Sequence, residues 1–242
     1  MLYDRQFQSQ ETLESALNNM PRCIIFANGT LPDPDSARRL IRPDDFILAA
    51  DGGARHALDL GLTPSVIIGD LDSATFDLQP LTAAGTKIIQ HPRDKNETDL
   101  ELALDYAVQN GYREIVIIAA LGNRLDQTLG NLALLTDPRL STLRHGSGQA
   151  FDLRLADGVE QAFFCRDQAQ VRGRSGDLVS LIPWGGEVRG VCTEGLRWPL
   201  LNETLLPHKT RGISNEMTGE VANIQIQSGL LLIVHRRLIT NH

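Results

Sequence analysis

Aspartates follow two apolar runs that have the length and β-branched content of buried parallel strands, Phe46–Ala50 and Val66–Ile68. Asp51 comes directly after the first run, and Asp70 and Asp72 lie in the loop after the second. Ligands bind at the carboxyl ends of the strands in open α/β sheets, so these carboxylates are predicted to gather at one edge. Each close pair of them would repel by about 4 kcal/mol at an effective dielectric of about 20. The cluster therefore predicts a hard divalent cation, Mg²⁺ carrying a phosphate-rich ligand.

A second group of charged residues lies in the loop before the next predicted helix. Arg93 and Lys95 are cations suited to phosphate oxygens, and Asp99 is an acid suited to a metal ion. A carboxylate in the first turn of a helix is also stabilised by the helix dipole, by about 0.3–1 kcal/mol, which is a structural explanation for Asp99 alone. The combination of two cations with an acid favours phosphoryl chemistry.

Two glycines, Gly52 and Gly53, follow Asp51 at a predicted strand-to-helix turn. In one interpretation Asp51 caps the helix, a contribution of about 1 kcal/mol. In the other, the glycines let the phosphates of a ligand approach the backbone at the helix N-terminus. The sequence lacks both G-x-G-x-x-G after a strand and G-x-x-x-x-G-K-[ST]. Any nucleotide must therefore be held by the acidic loops.

Arg124 lies in the loop after another apolar strand, predicted over Glu114–Ala120. Its expected partner at that edge is either a phosphate or Asp126, which has the alternative role of helix N-cap. Trp184 and Trp198 occur later, in a region of β-like runs, where tryptophan is more often a core residue than a ligand platform.

Strands and helices alternate through the first part of the chain, which is typical of a parallel sheet covered by helices. The strongest helical pattern covers Thr98–Asn110, where Thr98 and Glu101 form a capping box. Past about residue 160, short β-like runs replace the helical pattern. We therefore predict an α/β domain with a parallel sheet over residues 1–160 and a smaller all-β sandwich or roll over residues 161–242.

Composition restricts the classes of function. The formal net charge of −7 argues against binding to nucleic acid or to an anionic membrane surface. Cys23, Cys165 and Cys192 lie far apart without metal-ligand spacing, which indicates reduced thiols. Residues 1–20 do not have the pattern of a signal peptide, and the longest apolar run, Ile115–Leu121, is too short to span a bilayer. We expect a cytoplasmic protein.

An ordered set of motifs between Ile24 and Val234 resembles the thiamine pyrophosphokinase family. The motifs are Asp51-Gly-Gly-Ala, Gly69-Asp-Leu-Asp-Ser73, Lys95-Asn-Glu-Thr-Asp99-Leu, Gly122-Asn-Arg-Leu-Asp126-Gln, Gly195-Leu-Arg-Trp198 and Ser214-Asn215. The resemblance implies a Rossmann-like domain, a β-sandwich domain and a homodimer with active sites at the subunit interface. It also implies transfer of the β,γ-diphosphoryl group of ATP to the hydroxyl of thiamine, with Mg²⁺ as cofactor and AMP as the other product.

By position, the resemblance implies a role for each motif residue. Mg²⁺ and the diphosphate would be bound by Asp70, Asp72 and Asp99, and the catalytic residues would be Asp72, Asp99 and Lys95. ATP would be bound by Asp51, Gly52, Gly53, Arg124, Asp126 and Gln127. Thiamine, a permanent cation, would be bound by Trp198, Ser214 and Asn215. Two alternatives stay open, a diphosphokinase acting on another alcohol such as a pterin and a module that binds Mg-nucleotide without catalysis.

Overall fold

The computed structural model of the chain describes residues 22–72, 77–122, 124–140 and 152–238. Ser73 and Asn123, which belong to two of the motifs, lie outside the described residues. The chain divides into two compact units that alternate along the sequence. The described parts of the first unit fall within residues 22–27, Ile41–Val116 and 152–153, and those of the second within Asn28–Leu40, Ile117–Leu140 and 154–238. A single boundary near residue 160 stays a prediction.

Parallel strands form the centre of the first unit. They are β1 (Arg22–Phe26), β2 (Phe46–Ala50), β3 (Val66–Gly69) and β4 (Lys87–Gln90). Strand β1 pairs in parallel with β2, β2 with β3, and β3 with β4. A further strand, β5 (Glu114–Ile118), is the other neighbour of β1. Strands β1 and β3 are buried along their whole length, as the apolar, β-branched runs predict.

Helices connect these strands. They are α1 (Pro34–Arg38), α2 (Ala54–Asp59), α3 (Gln79–Ala83), α4 (Asp99–Gln109) and α5 (Leu125–Leu134), with short 3-10 helices at Asp51–Gly53 and Pro138–Leu140. Helix α4 begins as predicted, because the Thr98 hydroxyl oxygen accepts the backbone N–H of Glu101 at 3.1 Å. Within the described part of the chain, every helix is too short or too polar to cross a bilayer.

The second unit contains two antiparallel sheets. Their strands are β6 (Asp152–Ala156), β7 (Glu160–Cys165), β8 (Gln168–Arg172), β9 (Leu178–Pro183), β10 (Val188–Glu194), β11 (Glu203–Leu205), β12 (Asn215–Glu216), β13 (Val221–Gln225) and β14 (Leu231–Arg236). Strands β12, β9, β14, β7 and β6 are neighbours in that order, and β11, β10, β13 and β8 form the other sheet.

One apolar core joins the two sheets of the second unit into a sandwich. Val171 and Ile224 contribute to it from β8 and β13, while Val179, Leu181 and Ile233 contribute from β9 and β14. The predicted fold class, a Rossmann-like parallel sheet with helices followed by an all-β sandwich, is confirmed. Three strands were not predicted, because β8 is rich in glutamine and arginine and β11 and β12 are only three and two residues long.

Candidate active site

Asp51 connects β2 to the 3-10 helix that follows it. Its φ of +45° lies in the left-handed region, which is costly for a residue with a side chain. The residue is 5% exposed, and its Oδ1 is buried without a hydrogen-bond partner among the described residues. The helix-cap interpretation is wrong, because neither the 3-10 helix nor α2 has a side-chain cap. A strained backbone and an unsatisfied carboxylate oxygen together indicate a ligand-binding position.

Three carboxylates meet at this edge of the parallel sheet. Asp51, Asp70 and Asp99 each offer an oxygen, and these oxygens lie within 4.8 Å of one another. Asp70 follows β3, and Asp99 is the first residue of α4. A Cβ at Gly69 would lie 2.9 Å from the Cβ of Asp51 and 3.2 Å from the Cγ of Asp99, so the cluster requires glycine there. We call Asp51, Asp70 and Asp99 the acidic triad.

Lys95 supplies a positive charge to the triad. Its Nζ forms an ion pair with Asp99, at 2.8 Å from Oδ1. The contact does not meet the angular criteria of a hydrogen bond, so the attraction is one of charge. A second carboxylate oxygen, Asp70 Oδ2, lies 3.8 Å away. Desolvation by burial opposes the charge of the ammonium, but Asp99, Asp70 and Asp51 raise the pKa of Lys95 above its ordinary value. Because one ammonium faces three carboxylates, the group keeps an excess of negative charge and can accept a further cation.

Asp72 lies outside the acidic triad. Its backbone N–H donates to Asp70 Oδ1 at 3.1 Å, a bond that lowers the pKa of Asp70, with the charge of Lys95 acting in the same direction. The carboxylate of Asp72 lies beside Arg93, with Oδ2 3.4 Å from Nη2. In an extended loop, the alternation of side chains would point Asp70 and Asp72 the same way. Leu71, between them, has φ of +64°, so that segment turns instead. The role of Asp72 in metal binding and catalysis stays a prediction.

The glycines after Asp51 have a packing role. A Cβ at Gly53 would lie 2.1 Å from the carbonyl oxygen of Phe26 in β1, so this position must be glycine for the 3-10 helix to approach the strand. Gly52 is buried in the same helix. Gly53 therefore allows a close approach within the protein's own backbone, and the role of Gly52 and Gly53 in binding ATP stays a prediction.

Arg124, Asp126 and Gln127 lie at the start of α5, in the second unit. Arg124 and Asp126 form a two-point ion pair, with Nη2–Oδ2 at 2.6 Å and Nε–Oδ1 at 3.2 Å. Of the two partners expected for Arg124, the structure contains Asp126. The hydrogen bond from Arg124 lowers the pKa of Asp126, and both side chains are 65% exposed. Gln127 is exposed one residue further on. All three are accessible to a ligand.

Trp198, Ser214 and Asn215 come together in the sandwich. The Asn215 side chain accepts the backbone N–H of Trp198 at 3.1 Å and donates to its carbonyl oxygen at 2.7 Å. Ser214 has φ of +56°, and its N–H donates to the Ser180 hydroxyl at 3.0 Å. Trp198 is 46% exposed, so it is not a core residue. Arg197 was not among the predicted site residues, but its Cζ lies 4.9 Å from the centre of the Trp198 ring. Its position next to Trp198 was the available signal.

The fold and these residues define a class of protein. A parallel sheet with carboxylates and a lysine at its carboxyl edge is typical of α/β proteins that handle phosphates with a divalent cation. Residues 37–144 match a family model described as thiamin pyrophosphokinase, catalytic domain. Residues 167–231 match a second model, thiamin pyrophosphokinase, vitamin B1 binding domain. The two matches together cover most of the sequence, and the chain belongs to the thiamine pyrophosphokinase family.

Individual relatives agree with this assignment. The thiamine pyrophosphokinase of Bacillus subtilis is 26% identical over 190 residues, which is 77% of this chain and 85% of the relative. Thiamine pyrophosphokinase 2 of Arabidopsis thaliana is 28% identical over 209 residues, which is 76% of this chain and 75% of the relative. The solved structure from Bacillus subtilis has a TM-score of 0.77 at 24% identity, over 90% of this chain and all of that one. The thiamin pyrophosphokinase structure from Candida albicans has a TM-score of 0.67 at 15% identity, over 90% of this chain and 89% of that one. Both structures share the fold.

Replacing Lys95 by methionine tests whether the carboxylates of the triad repel one another. Lys95→Met is expected to lower the melting temperature by about 3–6 °C without divalent cations, because the triad then loses its nearest counter-charge. Adding Asp99→Asn should restore part of the loss, since it removes one of the repelling charges. Lys209→Met, at an exposed lysine, is the control and should melt as the wild type does. Calorimetry at low ionic strength makes the comparison, and a Lys95→Met protein as stable as wild type would contradict it.

Proposed function

We propose that this protein is a thiamine pyrophosphokinase, which transfers the diphosphoryl group of ATP to the hydroxyl of thiamine and releases AMP. Family membership over both parts of the chain supports the reaction. The acidic triad is the observation that supports placing the reaction at this edge of the sheet. There the buried Oδ1 of Asp51 has no hydrogen-bond partner among the described residues. A carboxylate oxygen left in that state is suited to a cation that arrives with the phosphates.

Mg²⁺ is the cofactor that we propose for the acidic triad. Its three residues offer only carboxylate oxygens, the ligand type that Mg²⁺ prefers, and two of those oxygens, Asp51 Oδ1 and Asp99 Oδ1, have no hydrogen-bond partner among the described residues. When bound, the ion would neutralise charge on the phosphate oxygens. We predicted Asp51 to bind ATP, and we now propose that it binds the metal ion together with Asp70 and Asp99.

Lys95 and Arg124 are the cations that we propose for the phosphates. Diphosphoryl transfer requires in-line positioning of the reactants and neutralisation of charge more than covalent chemistry from the protein. The triad keeps Lys95 protonated, so its ammonium can donate to phosphate oxygens. Arg124 is exposed and can exchange Asp126 for a phosphate. Asp72 and Asp99 are the candidates for accepting the proton of the hydroxyl group.

Trp198 is the residue that we propose for stacking against thiamine. Thiamine is a permanent cation, and an aromatic face attracts a cation by about 0.5–2 kcal/mol. Because the guanidinium of Arg197 already lies over the ring, thiamine must use the opposite face or displace Arg197. Asn215 holds the backbone of Trp198 in place, so its proposed role is to orient the ring.

A homodimer with active sites at the subunit interface is also part of the proposal. Exposed large apolar side chains among the described residues of the second unit include Trp198, Leu201 and Ile213, at 46%, 78% and 44%. A subunit interface would remove them from water. We propose a cytoplasmic location, in agreement with the wide spacing of the three cysteines along the sequence. ATP and thiamine are the proposed partners, and the net charge of −7 argues against nucleic acid.

The reaction is tested by incubating the purified protein with Mg-ATP and thiamine. AMP and thiamine diphosphate should form in equal amounts, and chelation of the metal should stop the reaction. Formation of ADP, or turnover that does not depend on thiamine, would overturn the proposal. Turnover of a hydroxymethyl pterin in preference to thiamine would support the alternative diphosphokinase. ATP that is bound but never consumed would identify a nucleotide-binding module.

The variant Trp198→Ala tests the place of thiamine. It should raise the KM for thiamine by roughly tenfold, the loss expected for one cation–π contact, while the KM for ATP changes less than twofold. Trp184→Ala is the matched control, because that ring packs against Phe164 in the sandwich. Steady-state kinetics with each substrate varied in turn makes the measurement. Equal changes in both KM values for Trp198→Ala would contradict the assignment.

A further inference from the structure

A cavity of about 500 Å³ lies wholly within the second unit and is lined by arginines. The four are Arg39, which follows α1, Arg172 and Arg174 at the end of β8, and Arg237, which follows β14. The acidic triad contributes nothing to the lining. In a chain whose formal net charge is −7, a local gathering of four positive charges requires an explanation.

The cavity arginines differ from other arginines of the same sandwich. Several exposed arginines elsewhere pair with a carboxylate, in the pairs Arg189–Glu187, Arg197–Glu216, Arg211–Glu203 and Arg236–Glu160. Among the described residues, the structure records no ion pair for Arg172, Arg174 or Arg237. Arginines outnumber the carboxylates in the lining of the cavity, and an anion bound between them would offset this excess of positive charge.

Two carboxylates also line the cavity, and both already accept hydrogen bonds from the protein. Asp33 accepts the backbone N–H and the hydroxyl of Ser36 at the start of α1. Asp177, which is 3% exposed, accepts the backbone N–H groups of Arg174 at 2.9 Å and Leu238 at 3.0 Å. A third contact joins its Oδ2 to His235 Nε2 at 3.1 Å. Arg39 Nη2 already donates to the Ser36 hydroxyl, so the donors left for a ligand are the guanidinium groups of Arg172, Arg174 and Arg237.

The backbone that presents these arginines is fixed. Asp177 closes a turn on Arg174, since its own N–H donates to the Arg174 carbonyl at 3.1 Å while its carboxylate accepts from the Arg174 N–H. A Cβ at Gly173 would lie 2.6 Å from Asp177 Oδ2, so glycine is required there. At the other side, a Cβ at Gly158 would lie 2.4 Å from the backbone of Ser36, so these two segments pack in direct contact. A fixed backbone lowers the entropic cost of binding.

We propose that this cavity binds a small oxyanion with two or more negative charges, of the phosphate-ester or diphosphate class. Guanidinium groups match the geometry of phosphate oxygens with two parallel hydrogen bonds each. The volume lies within the range of small-molecule sites. Several lining residues, including Ser36, Gly158 and Arg237, lie outside the regions that match the family models. The cavity shares no lining residue with the acidic triad, and its proposed ligand does not depend on the proposed reaction.

Isothermal titration calorimetry with inorganic diphosphate tests the proposal. The buffer contains EDTA, so that the acidic triad cannot hold the probe through a metal ion. The double variant Arg172→Gln/Arg174→Gln should bind at least tenfold more weakly than wild type. The control Arg189→Gln/Arg236→Gln removes the same charge from arginines that do not line the cavity and should bind within twofold of wild type. Binding to wild type should weaken as salt increases.

Further titrations distinguish the sources of the oxyanion. Inorganic phosphate and glycerol 3-phosphate, compared with diphosphate, show whether the site prefers a free or an esterified anion. If the double variant melts well below wild type, Arg237→Gln replaces it, because that side chain comes from a different strand. The proposal is overturned if wild type does not bind any of the three anions, or if both double variants bind diphosphate equally. Tighter binding of a polyglutamate peptide than of diphosphate would also overturn it, in favour of an acidic protein partner.

Discussion

Repulsion among three carboxylates is the constraint on which the candidate active site depends. Asp51, Asp70 and Asp99 come from three separate segments, and their oxygens are held within 4.8 Å. The ammonium of Lys95 offsets part of this repulsion, and the missing side chain of Gly69 makes the close approach sterically allowed. The parallel sheet fixes where β2 and β3 end, so the fold supplies the energy that keeps like charges together. A divalent cation is the natural counterpart of such an arrangement.

Strained backbone conformations occur at or next to several candidate site residues. Asp51, directly after β2, and Leu71, two residues after β3, adopt left-handed φ values. Ser214 does so beside Asn215 in the sandwich. Such conformations cost about 1–3 kcal/mol each and persist only where the surrounding structure holds them. In the first unit the strain orients carboxylates, and in the second it accompanies a half-exposed tryptophan whose backbone is braced by Asn215. Both units therefore hold candidate ligand-binding residues in conformations that the local sequence would not select.

Much of this could be predicted from sequence, because local pattern determines it. Buried parallel strands have continuous apolar runs, and their ends locate Asp51 and Asp70; the Thr98 cap likewise places Asp99 at a helix start. Contacts between distant residues could not be predicted. The left-handed φ of Leu71 has no signal in the local sequence, and the hydrogen bond between Asn215 and Trp198 joins residues 17 apart. The arginine-lined cavity collects residues from four places in the chain, none of which has a distinctive motif.

The central claim is that the acidic triad binds a divalent cation, and titration with Mn²⁺ monitored by electron paramagnetic resonance tests it most directly, because free and bound ions are counted without any substrate. Wild type should bind Mn²⁺, and Mg²⁺ should displace it. Asp51→Asn should bind at least tenfold more weakly, while Asp59→Asn, at an exposed aspartate paired with Arg55, should bind as wild type does. Undetectable binding to wild type, or equal binding to Asp51→Asn, would contradict the account.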